Sequence, residues 1–353
     1  MSLSFQIYAS PTGTLLWDFT RRVQSLKFSD GEHGYEACSG FVPMDLAESF
    51  TVLERPGMPH IRIVDESTHL AWEGRLEDVE IVEGGVELGG FGYWRGYGDI
   101  PYSATHTSVT ADTIVNALIA DVSAANSFMS SSTALVQNPS VTFTETYEDK
   151  LPSDILSRLV RLGDNQTPPR LWEAGVWEGR RLFFRPRGDV GKTWHVDVGT
   201  PRMKRTLDTL YNSAYAVYSD ANSDRAVTAT VTNAASVNRH VVTRRAPVDA
   251  STDSSALAVI VADLFLDQHR DPPPEAKLPI LAVYDAAGAR WPKYIIRSGD
   301  TVIARNIPPS LSATIDRIRS FRVLAKEYDV DSDTLSVTPE EYYPDLEGIV
   351  AEN

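Results

Sequence analysis

The stretch "LAWEGRLEDVEIVEGGVELGGFGYW", residues 70 to 94, limits the possible folds more than any other part of the chain. Leu76, Val79, Ile81, Val82, Val86 and Leu88 recur at close to a two-residue period on both sides of Gly84-Gly85. A helix cannot gather such residues on one face, whereas two antiparallel strands joined by a glycine turn can. The neighbouring runs "SFQIYA", "RRVQSLKFS", "ESFTVLER" and "HIRIVDE" read as further strands. Residues 1–105 are therefore expected to form an antiparallel β-domain.

Beyond this the period changes. Ile114, Val115, Leu118, Ile119 and Val122 make one helical stripe, with Thr110 as the expected N-cap and Asp112 in the first turn. A second helix opens at Pro152-Ser153-Asp154, turns Ile155, Leu156, Leu159 and Leu162 inward, and should stop at Gly163. A third carries Leu257, Ile260, Val261, Leu264 and Phe265, with His269 and Arg270 at its negative end and Pro272-Pro273-Pro274 beyond. Strand patterns fill "RLWEAGVW", "RRLFFRPR", much of 205–233, and most of 278–339. The expected fold is mainly β with an α+β insertion. Residues 1–105 form the first β-domain, 106–200 with 235–275 a discontinuous α/β domain, 201–234 with 276–341 a second β-domain, and 342–353 a tail.

At 353 residues, with 42% hydrophobic and 23% charged content, the chain can bury a substantial core. Cys38 is the only cysteine, so neither an intrachain disulfide nor a thiolate metal cluster can form. The first residues lack the basic start and apolar run of a signal peptide, and "ALAVIVA" is the longest clean apolar run. A net charge of -15 repels phosphate and argues against sequence-specific nucleic-acid binding.

Local motifs for chemistry fail on context. "EYDVDSDTLSVTPEE" puts Asp329, Asp331, Asp333 and Glu340 at positions 1, 3, 5 and 12 of a calcium loop, but Thr334 occupies the glycine position and the flanks alternate as strands. A hairpin turn is expected there. "RPRGDVGKT" has Pro186 where a phosphate loop needs its first glycine, and a strand follows; its Arg187-Gly188-Asp189 tripeptide reads as a turn. "GGFGYWRGYGD" spaces Gly90, Gly92 and Gly96 wrongly for a dinucleotide turn. Its aromatics Phe91, Tyr93, Trp94 and Tyr97 remain candidates, read as strand residues packing a barrel or a subunit contact, with a sugar-stacking face as the alternative. The seven histidines make no H-x-x-x-H pair and no G-x-S-x-G elbow occurs. No catalytic residue, cofactor site or metal site is assigned, and an enzyme is not expected.

The order of elements resembles the baseplate hub, or tail-tip hub, proteins of tailed bacteriophages. Trp72, Gly74 and Leu76 are similar to that family's W-x-G-x-[IL] strand, "LPSDILSRLVRLGDNQ" to its short helix before a strand pair, and "IRSGDTVIARN" with "SFRVLAKEYDVDSDTLSVTP" to its closing barrel strands. The resemblance implies two antiparallel tail-tube-like β-barrels with an inserted α/β region. It implies a homotrimer in the virion tail, assembled in the host cytoplasm, that joins a sixfold tail tube or distal tail ring to threefold tip, spike or fibre proteins, with the tape measure protein as a further neighbour. DNA would pass through its channel, along a like-charged wall. The long C-terminal extension of many relatives is missing, so a separate tip or spike protein is expected to complete the assembly. A distal tail ring protein, a carbohydrate-binding tail module and a cell-wall hydrolase are the rival readings.

Overall fold

The structure is a computed structural model that describes residues 3–340 except 56, 68, 163, 165–169, 189–190, 201, 205–206, 221–223, 251, 253, 271–274 and 307–318. Gly163, Asp189, Pro272, Pro273, Pro274 and the 342–353 tail, all named above, lie outside the described residues.

Seven strands open the chain: β1 (Leu3–Tyr8), β2 (Leu15–Asp18), β3 (Gln24–Gly31), β4 (Gly34–Pro43), β5 (His60–Asp65), β6 (Leu70–Val82) and β7 (Gly85–Phe91). They pair antiparallel in the order β2-β1-β5-β6-β7-β4-β3. The hairpin at Gly84-Gly85 is present, with Gly84 at φ 86° and Val82 opposite Gly85. Two local readings change. The run "ESFTVLER" is not a strand but lies largely in helix α1 (Leu46–Leu53). Its start is fixed by Asp45, whose side chain accepts the Glu48 N–H at 2.8 Å, while Arg22 clamps the Glu48 carboxylate at 2.6 and 2.8 Å. The aromatic run, expected to stay a strand, leaves β7 at Phe91 and turns into a 3-10 helix over Tyr93–Gly98.

The middle of the chain supplies β8 (Tyr102–Thr110), α2 (Ala111–Ala125), β9 (Thr142–Lys150), α3 (Pro152–Arg161), β10 (Trp172–Trp177) and β11 (Arg181–Pro186). The α2 stripe of Ile114, Val115, Leu118, Ile119 and Val122 is wholly buried. Thr110 is the N-cap, but its hydroxyl meets that of Thr113 rather than a backbone N–H. Next come β12 (Thr193–Val198), β13 (Arg202–Lys204), β14 (Ser213–Ser219), β15 (Arg225–Val227), β16 (Val231–Thr232), α4 (Ala234–His240), β17 (Arg245–Asp249) and α5 (Ser255–His269). The last strands are β18 (Glu275–Tyr284), β19 (Arg290–Trp291), β20 (Thr301–Ala304), β21 (Ser320–Asp329) and β22 (Thr334–Pro339).

The chain is mainly β and contains a closed barrel, in which β18, β12, β20, β21 and β22 pair in turn and β22 returns to β18. One pairing, β12 with β20, is parallel. Parallel neighbours need a long crossover, and the excursion through β14–α5 and β18 provides it. Pairing also places two segments differently from the sequence division: 193–198 belongs to the barrel, and β14, β15 and β16 join β17 in a separate sheet against α5.

Two cores result. One runs through both β-regions, from Phe5, Ile7 and Trp72 to Trp194, Val302 and Leu335. It is continuous because β3 pairs directly with β21, so the first sheet and the barrel share an edge. The other combines α2, α3, β10 and β11 with β14, β17 and α5, which makes the α/β unit discontinuous in sequence.

Candidate functional site at the junction of the β-regions and the α/β unit

The four candidate aromatics sit where the first sheet meets the α/β unit. Tyr93 and Tyr97 are 2% and 0% exposed, and both belong to the α/β core. Trp94 stacks on His33 with ring centroids 4.3 Å apart and on Tyr97 at 5.8 Å. Phe91, half-buried, lies under the Arg95 guanidinium at 4.1 Å. The chain can turn here because position 92 is glycine: a Cβ would stand 1.6 Å from the Tyr35 carbonyl oxygen. The same approach lets the Gly92 N–H reach the Glu36 carbonyl at 2.7 Å. Tyr93 and Tyr97 are buried and offer no stacking face to a sugar, while Phe91 and Trp94 are partly buried against Arg95 and His33.

His60 extends this seam. Its Nδ1 lies 3.0 Å from the Tyr93 hydroxyl, and its ring packs against Phe128. Burial first, then the charges of Arg180 and Arg75, push its pKa down to about 4, so the imidazole is neutral at pH 7.

A second seam is ionic. Glu173 on β10 accepts from Arg185 at 2.8 Å and is also bound by Arg322 of β21. Arg322 reaches Glu340 at 3.0 Å, Glu340 is 2.8 Å from Arg187, and Arg187 is 3.3 Å from Glu32 in the β3–β4 turn. Acids and bases thus alternate across the α/β unit, the barrel and the first sheet. The basic residues Arg185 and Arg187 of "RRLFFRPR" are consumed within the molecule. Gly34, at φ 107°, lets β4 meet β10, since a Cβ there would stand 2.0 Å from the Val176 carbonyl oxygen.

The third element is a buried pair in the shared edge. Lys326 and Asp30 are opposite each other in the β21–β3 register, both 0% exposed as side chains, with Nζ 2.9 Å from Oδ2. The ammonium also donates to the carbonyls of Tyr294 at 2.8 Å and Ile296 at 2.6 Å. Loss of solvation raises the Asp30 pKa and lowers that of Lys326, and their mutual attraction opposes both shifts.

The remaining motifs have structural uses. The acidic stretch at 329–340 is the β21–β22 hairpin: Asp331 accepts the Ser25 N–H at 2.6 Å, Asp333 accepts the Tyr328 hydroxyl at 2.8 Å, and Glu340 is held by arginines. Asp300, beside Gly299 at φ 90°, accepts from Lys192 N, Trp194 Nε1 and Arg297 N. An open cleft of ≈ 430 Å³ lies over β4, β3, β21 and β22. It holds Cys38, whose thiol burial pushes well above its ordinary range, together with the Lys277–Glu327 pair at 2.9 Å. Among the described residues no group of three His, Cys, Asp or Glu side chains is placed to hold a metal ion. No described helix is long and apolar enough to cross a membrane. What the arrangement does physically is fix three bodies at set angles.

That architecture recurs in solved structures. A 43 kDa tail protein of prophage MuSo2 from Shewanella oneidensis is 10% identical over 96% of this chain and 95% of its own, with a TM-score of 0.61. A tail protein from Neisseria meningitidis MC58 is 10% identical over 98% and 99%, with a TM-score of 0.62. The fold is that of phage tail proteins. A third, prophage tail protein gp18 from Listeria monocytogenes EGD-e, is 11% identical over 100% and 99%, with a TM-score of 0.57. No family model matches the chain, and no curated protein matches it in sequence. The likeness is one of fold, at 10–11% identity.

Proposed function

We propose that this chain is a tail hub: a homotrimeric adaptor whose two β-regions alternate around the tail axis, meeting a sixfold tube or distal tail ring on one side and threefold tip, spike or fibre proteins on the other. The observation that carries the reading is the edge-to-edge fusion of the first sheet and the closed barrel through β3 and β21. One chain then offers two β-bodies at a fixed angle, and three chains offer six. Such a ring can meet a sixfold partner with nearly equivalent contacts while keeping threefold symmetry of its own. The likeness to tail proteins along the whole chain supports a place in the virion tail, with assembly in the host cytoplasm. A net charge of -15 suits a conduit through which DNA slides without sticking. In this reading the work is structural rather than catalytic, and the tape measure protein is a neighbour along the axis.

A reconstruction of the assembled particle tests it. Three copies on the tail axis are expected. Six copies in a plain sixfold ring would point to a distal tail ring protein instead, and a position away from the axis would exclude both.

A further inference from the structure

Two surface features of opposite chemistry are unexplained by the packing. The first is α1. Leu46, Phe50 and Leu53 are 61%, 45% and 45% exposed and lie at i, i+4 and i+7, a single stripe, while Ser49 and Val52 face inward. The helix rests on β6 and β7, whose hairpin exposes Asp78, Glu80, Glu83 and Glu87. Asp45, Glu48 and Glu54 add carboxylates along the helix, with Arg22 on Glu48 and Arg55 beyond Glu54 as the nearby cations. The stripe is an apolar strip in an acidic field.

The second is the turn after α4. Val241 caps that helix in the left-handed conformation, φ 55° and ψ 31°, and is 88% exposed. A β-branched residue is strained there, where glycine or asparagine would sit easily. Val242 beside it is 39% exposed. Arg239, Arg244 and Arg245 are exposed around this tip, and the Arg244 guanidinium is held at the loop base by the Leu207 carbonyl at 2.6 Å. Residues 225–248 contain no aspartate or glutamate, in a chain with 48 of them. The turn is an apolar tip beside three exposed arginines, with exposed Asp208, whose carbonyl oxygen is 3.4 Å from the Arg244 guanidinium, as a nearby acid.

We infer that these are the two halves of one head-to-tail interface between copies of this chain: the Val241-Val242 tip of one copy seats on the Leu46/Phe50/Leu53 stripe of the next. Charge selects this pairing. Stripe on stripe would oppose acid to acid and tip on tip would oppose base to base, while stripe on tip matches both sign and polarity. Two unlike patches make a heterologous contact, which closes into a ring when the rotation permits. The stripe exposes on the order of 300 Å² of apolar surface, the size expected for the dry centre of a partner face of about 800 Å². The inference rests on the trimer reading and adds the surfaces through which it forms.

Sedimentation of the full chain tests it, with Phe50→Asp and Val241→Asp as single variants. Both positions are exposed, so each variant should keep the far-UV circular dichroism of the wild type and unfold cooperatively, at a melting temperature lower than that of the wild type only by what association adds. The wild-type chain is expected to form trimers and each variant alone to be monomeric, with association weakened by about tenfold or more. An equimolar mixture should give a heterodimer, because one intact stripe and one intact tip remain. Leu46→Lys and Arg245→Glu provide a second pair of single variants, each expected to be monomeric alone. Variants that stay trimeric overturn the assigned contact and leave the hub reading standing. A wild-type chain that is monomeric at its highest soluble concentration overturns it too, since the hub reading is judged separately by particle symmetry. A mixture that stays monomeric beside a trimeric wild type rules out the head-to-tail arrangement.

Discussion

Asp30 and Lys326 face each other across the only strand pairing described between the first sheet and the barrel, both fully buried and 2.9 Å apart. Removing one charge strands the other in the core. Asp30→Asn should cost about 3–5 kcal/mol in urea unfolding. Asp30→Leu combined with Lys326→Met should recover most of that loss, because two apolar side chains have no charge left to solvate. A double variant no more stable than the single one would show that the Tyr294 and Ile296 carbonyls, which lose their donor, dominate instead.

Acid should loosen the seam around His60. The pKa of this group and of buried His269, whose Nδ1 is 2.8 Å from the Phe265 carbonyl oxygen, are both pushed down to about 4 by burial. The unfolded chain takes up protons first, near pH 6.5. Stability from each histidine is therefore complete above about pH 6.5 and is lost as pH falls toward about 4, at no more than about 1.4 kcal/mol per pH unit. Asp30, with its raised pKa, works in the opposite direction, so the total profile is a balance. The difference between wild type and His60→Gln isolates one group: the variant should show a flatter loss of urea stability between those limits. Identical slopes would remove His60 from the account.

Of the expected α5 stripe, Val261, Leu264 and Phe265 are buried while Leu257 and Ile260 are only partly so, because the buried face is turned toward Ala258, Ala262 and Leu266. Leu264 is 8% exposed, and Phe265 beside it is 2% exposed. Leu264→Ala should cost about 2–5 kcal/mol by equilibrium unfolding. A change below about 0.5 kcal/mol would mean that the surroundings of the side chain do not depend on it.

Calcium should not shift the melting temperature of the chain, and Asp331→Ala should not change that insensitivity. The substitution should still cost about 1 kcal/mol, because the Asp331 carboxylate accepts the Ser25 N–H at 2.6 Å. A calcium-dependent rise in melting temperature that vanishes in the variant would replace the hairpin by a metal loop.

Period and composition made much of this fold readable. Ile114, Val115, Leu118, Ile119 and Val122 all reach the core because helix spacing alone puts them on one face. The Gly84-Gly85 hairpin follows from alternation in the same way. Helix α1 was hidden because Phe50, Thr51 and Val52 favour strands, and only Asp45 with Glu48 marks the cap. The aromatic run was visible as composition but not as direction, since its turn depends on Gly92 fitting against the Tyr35 carbonyl, a contact made only in the fold. The bond between Arg322 and Glu173 spans 149 residues and leaves no local trace at all. Acids and bases are so frequent here that their partners are chosen by topology.

The edge shared by β3 and β21 also sets a schedule for synthesis. A contact of this seam, from Ser25 to Asp331, joins residues 306 positions apart. At ordinary elongation rates the outer edge of β3 leaves the ribosome roughly 15–60 s before the strand that covers it. For that interval the nascent chain carries an open strand edge, the kind of template on which chains stick to one another. Lys27 on that strand is the kind of charged residue that discourages such sticking, and after closure it lies 3.5 Å from Asp329 of the arriving strand.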